Sequence, residues 1–401
     1  MFIISLFNRS KKNSLIDKGY KLFCQGDYQE ALECYNKIIS EIDANYFKAW
    51  YGKGIVLDKL GEYQKALEAY DKTLELDPND VETWKNRGLI LEKLEKYQEA
   101  LKSYNKALKI NPEFAYAWTS KGNTLTMLEK YPEALKSYNK SLKLNPNDFE
   151  TWFNKGYVLE ELEKYIESIK AYDQSLELDP ESIDTWINKG LVLEKLNRYE
   201  ETLECFDKAL NIDSNDSEAW YNKGNALGML KQYQEALEAY DKALKINPKY
   251  LYAWTNKGNT LGMLKQYQEA LECFDKALKI DPNYEYAWFN KGIVLEKLKK
   301  YLEALECFDK TLEIDPNDAE TWYKKGYSLE KLGKYQEAVK YIDKSLTLYP
   351  ENIYAFHKKG SILTKLGKYQ EAIECFDNAL KIDPKHEPSL KAKKEILEAK
   401  K

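Results

Sequence analysis

The sequence predicts an all-α solenoid, a row of helix-turn-helix repeats closed by a C-terminal capping helix. Three observations predict it. A frame of 34 residues fits without a gap from 47 to 386, and an eleventh copy at 12–46 carries one extra residue near its end, SEIDANY where others have ELDPND. A fixed period of this length is the mark of an array, not of two or three compact domains. Every Trp of the chain (Trp50, Trp84, Trp118, Trp152, Trp186, Trp220, Trp254, Trp288 and Trp322) falls at the fourth place of a copy, with Leu15 and Phe356 there in the terminal copies. Within each copy the apolar residues follow helical spacing twice.

The elements follow in chain order. Residues 1–11, opening MFIISLFNRSK, put a short apolar stretch before the positive charges, the reverse of a secretory signal. They read as a frayed lead-in to the first helix, with a weak membrane or partner contact as the other reading. The copies then run 12–46, 47–80, 81–114, 115–148, 149–182, 183–216, 217–250, 251–284, 285–318, 319–352 and 353–386. In the copy at 251, Trp254, Gly258, Leu261 and Leu264 mark the core stripe of a first helix; Tyr267, Ala270, Leu271, Phe274, Ala277 and Leu278 mark that of a second. The second helix stops at Asp281-Pro282, because Pro disfavours helical geometry in the residue before it. Asn, Asp or Ser near the seam (Asn147-Asp148, Asn317-Asp318, Ser182) can cap the next helix. Gly258, Ala270 and Ala277 leave room for the Trp and Tyr rings of neighbours. Residues 387–401, EPSLKAKKEILEAKK, read as one more amphipathic helix that covers the open end.

Composition narrows the function classes. Lys+Arg (61) and Asp+Glu (66) nearly cancel, so the formal charge of -5 gives no reason to expect nucleic acid as a partner. No apolar run is long enough to span a bilayer, and the expected location is cytoplasmic. Cys34, Cys205, Cys273, Cys307 and Cys375 share one place, which other copies fill with Ala or Ser, so they read as small, reduced packing residues. With only His357 and His386 in the chain, metal clusters and His-based triads lack parts. No phosphate-binding Gly-rich loop occurs. The expectation is a protein without catalytic residues, metal or cofactor.

The Trp–Gly–Tyr–Ala–aromatic–Ala–Pro places, as in Trp254, Gly258, Tyr267, Ala270, Phe274, Ala277 and Pro282, resemble the tetratricopeptide repeat over 12–386. Ser214 replaces the Pro, and Ser168 and Thr202 replace the first Ala. The resemblance implies a right-handed superhelix whose concave groove is lined by the first helices, and it implies protein or peptide partners. Co-chaperone members of the family hold a C-terminal carboxylate with a fixed Lys/Asn set. No three consecutive copies here complete that set, so binding of that type is not expected.

Opposite the core stripe lie Tyr252, Asn256, Asn259 and Met263, with Thr255 on the flank. Asn154, Asn188, Asn222, Asn256 and Asn290 recur at one groove-facing place, as does Asn86, while Gly52, Ser120, Lys324 and Lys358 interrupt the series. A side-chain amide donates and accepts, so such a ladder could grip a peptide backbone without reading sequence. A similar ladder occurs in the superhelical domain of the O-linked N-acetylglucosamine transferases. Duplication of an ordinary helix-surface residue explains the same pattern. Asn225 with Met229 and Asn259 with Met263, together with Tyr221, Tyr252, Tyr286 and Phe289, form an aromatic-Asn-Met patch over 217–290, and aromatics and Met suit a ligand surface. Glu82, Asp184 and Glu320 are expected to neutralise Lys93, Lys195 and Lys331 along their own faces. The reading is therefore a non-enzymatic scaffold that binds an extended peptide or protein segment; self-association or a regulatory subunit role is the alternative.

Overall fold

The computed structural model describes residues 2–399. Among them every regular element is an α-helix, and the chain divides into two compact units, Met1–Glu201 and Thr202–Lys401. The first unit holds α1 (Phe2–Gln25), α2 (Tyr28–Glu41), α3 (Phe47–Lys59), α4 (Tyr63–Leu76), α5 (Val81–Lys93), α6 (Tyr97–Ile110), α7 (Ala115–Met127), α8 (Tyr131–Leu144), α9 (Phe149–Glu161), α10 (Tyr165–Leu178) and α11 (Ile183–Lys195). The unit boundary falls inside α12 (Tyr199–Ile212). The second unit continues with α13 (Ser217–Met229), α14 (Tyr233–Ile246), α15 (Leu251–Met263), α16 (Tyr267–Ile280), α17 (Glu285–Lys297), α18 (Tyr301–Ile314), α19 (Ala319–Lys331), α20 (Tyr335–Leu348), α21 (Ile353–Lys365), α22 (Tyr369–Ile382) and α23 (Glu387–Ala399).

Each copy is a helical hairpin with a tight turn. At the end of α15 the amide of Lys265 donates to Gly262 O and that of Gln266 to Leu261 O. These two bonds satisfy carbonyls that the helix leaves open, in a Schellman arrangement. It requires a left-handed residue, and Lys265 takes that conformation at φ 63°. Gly61, Gly333 and Gly367 fill the same place without the side-chain penalty, whereas Glu95, Glu129, Glu163, Asn197, Lys231, Lys265 and Lys299 bear it.

Copy-to-copy turns are pinned twice. Asp281 Oδ1 accepts the amide of Asn283 at 2.9 Å, and the indole N–H of Trp288 donates to Pro282 O at 2.9 Å. The indole bond recurs from Trp50 to Trp322, to Ala44 O and Ser214 O where Pro is missing. Trp is therefore a half-buried strut to the preceding turn and not the centre of the core stripe. The buried residues of α15 are Ala253, Thr255, Gly258, Thr260 and Leu261, while Leu264 is 37% exposed.

Gly258 makes room for the ring of its own copy's second helix, not for a neighbour's Trp. A Cβ there would sit 2.8 Å from Phe274. Gly19 faces Tyr35 in the same way at 3.0 Å, so α1 and α2 pack as the later hairpins do. The lead-in is not frayed from Phe2 onward, since α1 begins there; Met1 lies outside the described residues. Asp148 and Asp318 cap α9 and α19. Ser182 makes no cap bond to the backbone; its hydroxyl pairs with that of Thr185.

Ion pairs stitch neighbouring copies. Lys257 Nζ reaches Asp241 Oδ1 of the preceding copy at 2.5 Å and lies over Trp254. Arg87–Asp71 and Lys189–Asp173 repeat the pair in the first unit, Lys223–Asp207 and Lys291–Asp275 in the second. Half-exposed pairs of this kind contribute about 1 kcal/mol or less each. At the C-terminal end α23 repeats the device. Its Lys393 pairs with Asp377, Ile396 is buried against the Phe376 cluster, and Ser389 is buried with its hydroxyl 3.1 Å from His357 Nδ1 and 2.8 Å from His386 Nδ1. Lys400 and Lys401 lie outside the described residues.

Candidate peptide-binding face

The face of the first helices in the second unit carries most of the candidate residues. Its most continuous feature is a run of tyrosines. Tyr221 meets Tyr250 at 4.9 Å between ring centroids, Tyr250 meets Tyr252 at 6.4 Å, Tyr252 meets Tyr284 at 5.9 Å, and Tyr284 meets Tyr286 at 5.7 Å. Tilted and edge-on contacts at these separations are the favoured aromatic geometries. Tyr252 and Tyr286 are half or more exposed, and Tyr221, Tyr250 and Tyr284 are half-buried between them. Burial, then the neighbouring rings, push the Tyr284 hydroxyl up to about 12; burial also raises Tyr250, helped by Glu218. These two hydroxyls thus stay protonated at any physiological pH.

Tyr250 and Tyr284 were not among the expected site residues, because each stands in the turn, at the cap place that Asp216 or Asp318 fills elsewhere. The signal was present as an aromatic-x-aromatic pair: Phe114-Ala-Tyr116, Tyr250-Leu-Tyr252 and Tyr284-Glu-Tyr286. In these copies a ring replaces the cap and packs beside the ring two residues on.

Beside the tyrosines the side-chain amides form a bonded group. Tyr240 donates its hydroxyl hydrogen to Asn225 Oδ1 at 2.8 Å. Asn256 Nδ2 donates to the same oxygen at 2.9 Å and to the Tyr221 hydroxyl at 3.1 Å. Both amide hydrogens of Asn256 are then used, which turns its Oδ1 into an available acceptor, while Asn225 keeps its Nδ2 hydrogens as donors. The first unit repeats half of this: Tyr138 donates to Asn123 Oδ1 at 2.9 Å and Asn154 to the same atom at 3.2 Å. Asn86 donates to Tyr51, the tyrosine equivalent to Tyr221.

The other Asn residues do not continue the group. Asn188 and Asn290 turn back and donate to Asp184 O and Tyr286 O of their own helices. The copy that precedes Asn290 has Asn259 but Phe274 in place of a tyrosine, so no hydroxyl holds Asn259, and it offers Asn290 no fixed acceptor. Asn222 is only 6% exposed and faces the packing.

Two further candidates are corrected by burial. Thr255 is 3% exposed and its hydroxyl donates to Leu251 O, as a helix-interior Thr does when its surroundings are apolar. Phe289 lies half-buried on the core with its ring 6.1 Å from Phe308, so it supports the face from beneath. Met229 and Met263 are 58% and 66% exposed.

Charge distinguishes this stretch from other first-helix surfaces. Lys93 pairs with Asp58, Lys195 with Glu160 at 2.8 Å, and Lys365 with Glu330 at 2.6 Å, always between adjacent copies. The expected pairing within one face fails because Glu82 and Lys93 lie eleven residues apart, about 16 Å along the helix. Glu82 instead meets Lys85, and Lys331 lies over Tyr327. In α13 and α15 the acid is replaced by Gly228 or Gly262 and the Lys by Met229 or Met263. A Cβ at Gly262 would meet nothing closer than Val294 at 3.6 Å, so packing does not demand glycine there.

Among the described residues there is no group of three or more His, Cys, Asp or Glu placed to hold a metal, and no helix is long and apolar enough to cross a membrane. All six cysteines are free thiols; burial pushes Cys273, Cys307 and Cys375 up to about 11.

Comparison with known proteins finds the tetratricopeptide-repeat family model matching ten consecutive segments of 34 residues over 47–386. The copy at 12–46, with its extra residue and Leu15 for Trp, is not matched. No curated protein sequence matches the chain. Among solved structures it is similar to YrrB, a TPR protein with an unusual peptide-binding site, at 29% identity over 48% of this chain and 99% of that one, with a TM-score of 0.42. It is also similar to a chain of the APC/C hetero-tetramer Cut9-Hcn1, at 16% identity over 96% and 90% with a TM-score of 0.48. Yeast Tom70 matches at 19% identity over 98% and 96%, with a TM-score of 0.44.

Proposed function

The chain belongs to the tetratricopeptide-repeat family, a family of protein-interaction scaffolds, and from that premise we propose that it binds an extended peptide segment on the first-helix face of the copies at 217–318. The observation that carries this reading is the uncharged strip from Tyr221 to Tyr286 running beside the Asn225–Asn256 pair. An extended backbone presents one N–H and one C=O per residue. Asn256 Oδ1 accepts such an N–H and Asn225 Nδ2 donates to such a C=O, while the exposed faces of Tyr252 and Tyr286 and the pliable Met229 and Met263 receive the side chains. The bound segment is expected to be apolar or aromatic at the positions over the rings, since no ion pair waits for a charge there.

The test is to pan a random peptide library against the intact chain and measure the enriched peptides by fluorescence anisotropy. Replacing Asn225 and Asn256 together by Ala should weaken them at least tenfold, and Tyr252→Ala should do likewise, with helical circular dichroism unchanged. Enriched peptides that bind all variants equally would place recognition elsewhere.

A further inference from the structure

The opposite kind of surface, made by second helices, departs from the repeat pattern in two adjacent copies of the first unit. The Lys or Arg at the seventh place of a copy pairs with an Asp sixteen residues earlier, as in Arg87–Asp71, Lys189–Asp173, Lys223–Asp207, Lys257–Asp241 and Lys291–Asp275. At Lys121 and Lys155 the partner place holds Asn105 and Asn139, and neither lysine forms an ion pair among the described residues; Lys53, whose partner place holds Lys37, is the other lysine of this kind, but its copy is not next to these two. Both are half-buried and lie over Trp118 and Trp152 at 5.1 and 4.5 Å. Burial holds each ammonium below the ordinary lysine range, partly offset by Glu133 and Glu167.

The same two copies invert the charge of the surrounding surface. α6 and α8 carry Lys102, Lys106 and Lys109, and Lys136, Lys140 and Lys143, all exposed and none in an ion pair, against Glu99 and Glu133. The equivalent helices α14 and α16 put Glu238 and Glu272 where Lys102 and Lys136 stand, and Asp241 and Asp275 where the two Asn stand. At α7 and α8, Trp118, Lys121, Lys136, Asn139, Lys140 and Lys143 line a cleft of about 550 Å³. It presents the Trp118 ring, one half-buried cation without the Asp of other copies, and three further exposed cations against a single carboxylate, Glu133.

We propose that this cleft, together with Lys155 on the next first helix, docks an acidic segment of a partner protein, whose carboxylates take the place of the absent Asp side chains. The geometry sets the spacing of those carboxylates. Lys121 and Lys155 are equivalent residues on packed first helices, so they stand about 8–10 Å apart. A polyproline-type segment rises about 3.1 Å per residue with three residues per turn, so acids at every third residue meet both lysines from one side. The patch is two copies wide, too short a track to neutralise the run of phosphates on which nucleic-acid affinity depends. The proposal rests on a different surface from the tyrosine strip and stands or falls separately.

The experiment uses the full chain and a fluorescein-labelled peptide with Glu at every third residue among Pro, Ala and Ser, with a Gln-for-Glu peptide and a single-stranded oligothymidylate as probes. The Glu peptide should bind, with affinity falling as salt rises, and the Gln peptide should not. Installing the carboxylate found in the other copies, by Asn105→Asp with Asn139→Asp, should cost at least tenfold in affinity, since each Asp quenches its own lysine. The pair it creates already exists elsewhere in the array, so folding is preserved, and circular dichroism checks it. Asp241→Asn in the second unit should leave binding unchanged. Equal binding by the Asp variant, equal binding of the Gln peptide, tighter binding of the oligothymidylate, or no binding of the Glu peptide at all would each overturn the proposal.

Discussion

Tyr240→Phe isolates the hydroxyl on which the amide pair depends. The change removes one oxygen and keeps the ring, and Phe274 and Phe308 show that a phenyl group fits this place beside glycine. The lost bond, Tyr240 to Asn225 Oδ1 at 2.8 Å, is a neutral one, for which a net contribution of about 1 kcal/mol is typical. Asn225 then loses the contact that fixes its rotamer, and Asn256 loses its fixed acceptor, as has happened naturally at Asn259 and Asn290. A repeat array opens locally, not all at once, so the measurement is hydrogen exchange by mass spectrometry, segment by segment. A loss of about 1 kcal/mol is a fivefold change in the opening equilibrium, so amides of 217–229 and 251–263 should exchange about fivefold faster, with 319–331 unchanged. Asn256→Ala should have a similar effect, and the double variant should cost less than the sum of the two, because Tyr240 fixes the Asn225 oxygen that Asn256 uses. The converse change, Phe274→Tyr, should slow exchange in 285–297. Additive effects of Tyr240→Phe and Asn256→Ala would refute the coupling, and so would an unaltered 251–263 segment in Tyr240→Phe.

Three further outcomes are expected. Replacing Lys231, Lys265 and Lys299 by Gly relieves left-handed side-chain strain of about 1–2 kcal/mol per residue, partly offset by the greater freedom of Gly when unfolded; scanning calorimetry should show a higher melting temperature, and a lower one would contradict the turn analysis. Burial first, then His386 and Lys358, hold His357 below its ordinary value of 6.5 in the folded chain. As pH falls below about 6.5 the unfolded state takes up the proton first, so the docking of α23 should weaken through that window and be complete above it; His357→Gln should flatten the dependence, read as protection of 387–399 in hydrogen exchange. Glu330, 6% exposed, is pushed up by burial but held below the ordinary carboxylate range by Lys365 and Lys358. Lys365→Met leaves it one cation, and because Lys365 is half exposed a cost of about 1 kcal/mol is expected, measured as loss of protection in 353–365.

The repeat, its hairpin and the Asp-Pro turn were legible because each depends on residues a few places apart in one copy. The candidate face was legible only in part, for a geometric reason. Tyr252, Tyr286, Met229 and Met263 point away from their own helix and are exposed as the helical period implies. Thr255, Asn222 and Phe289 were misplaced because a single helical wheel omits the neighbouring copies that bury its flanks. The partner of Lys93 was missed for the same cause: Asp58 is thirty-five residues away in sequence and adjacent in space.

That cause also explains how a monotonous array acquires a distinct candidate face. Trp, Gly and the second-helix ring recur because each holds one seam, and a seam must close at every copy. The places that vary are those where two copies meet at a surface, and the chemistry there belongs to the pair. Asn256 is held because the copy before it supplies both Tyr221 and Asn225, whereas Asn290, in the same place of the next copy, folds back because its predecessor has Thr255, Asn259 and Phe274. A buried second-helix Tyr together with an Asn at the place of Asn225 therefore holds the next copy's amide, as Tyr138 with Asn123 holds Asn154, whereas Tyr172 with Tyr157 leaves Asn188 folded back. Transplanting Tyr221, Asn225 and Tyr240 as a set into the copy at 251, by Thr255→Tyr with Phe274→Tyr, should move Asn290 off Tyr286 O and onto Asn259, extending the bonded amides by one repeat. A crystal structure of that variant with Asn290 still bonded to its own helix would show that neighbour identity does not set the amide's direction.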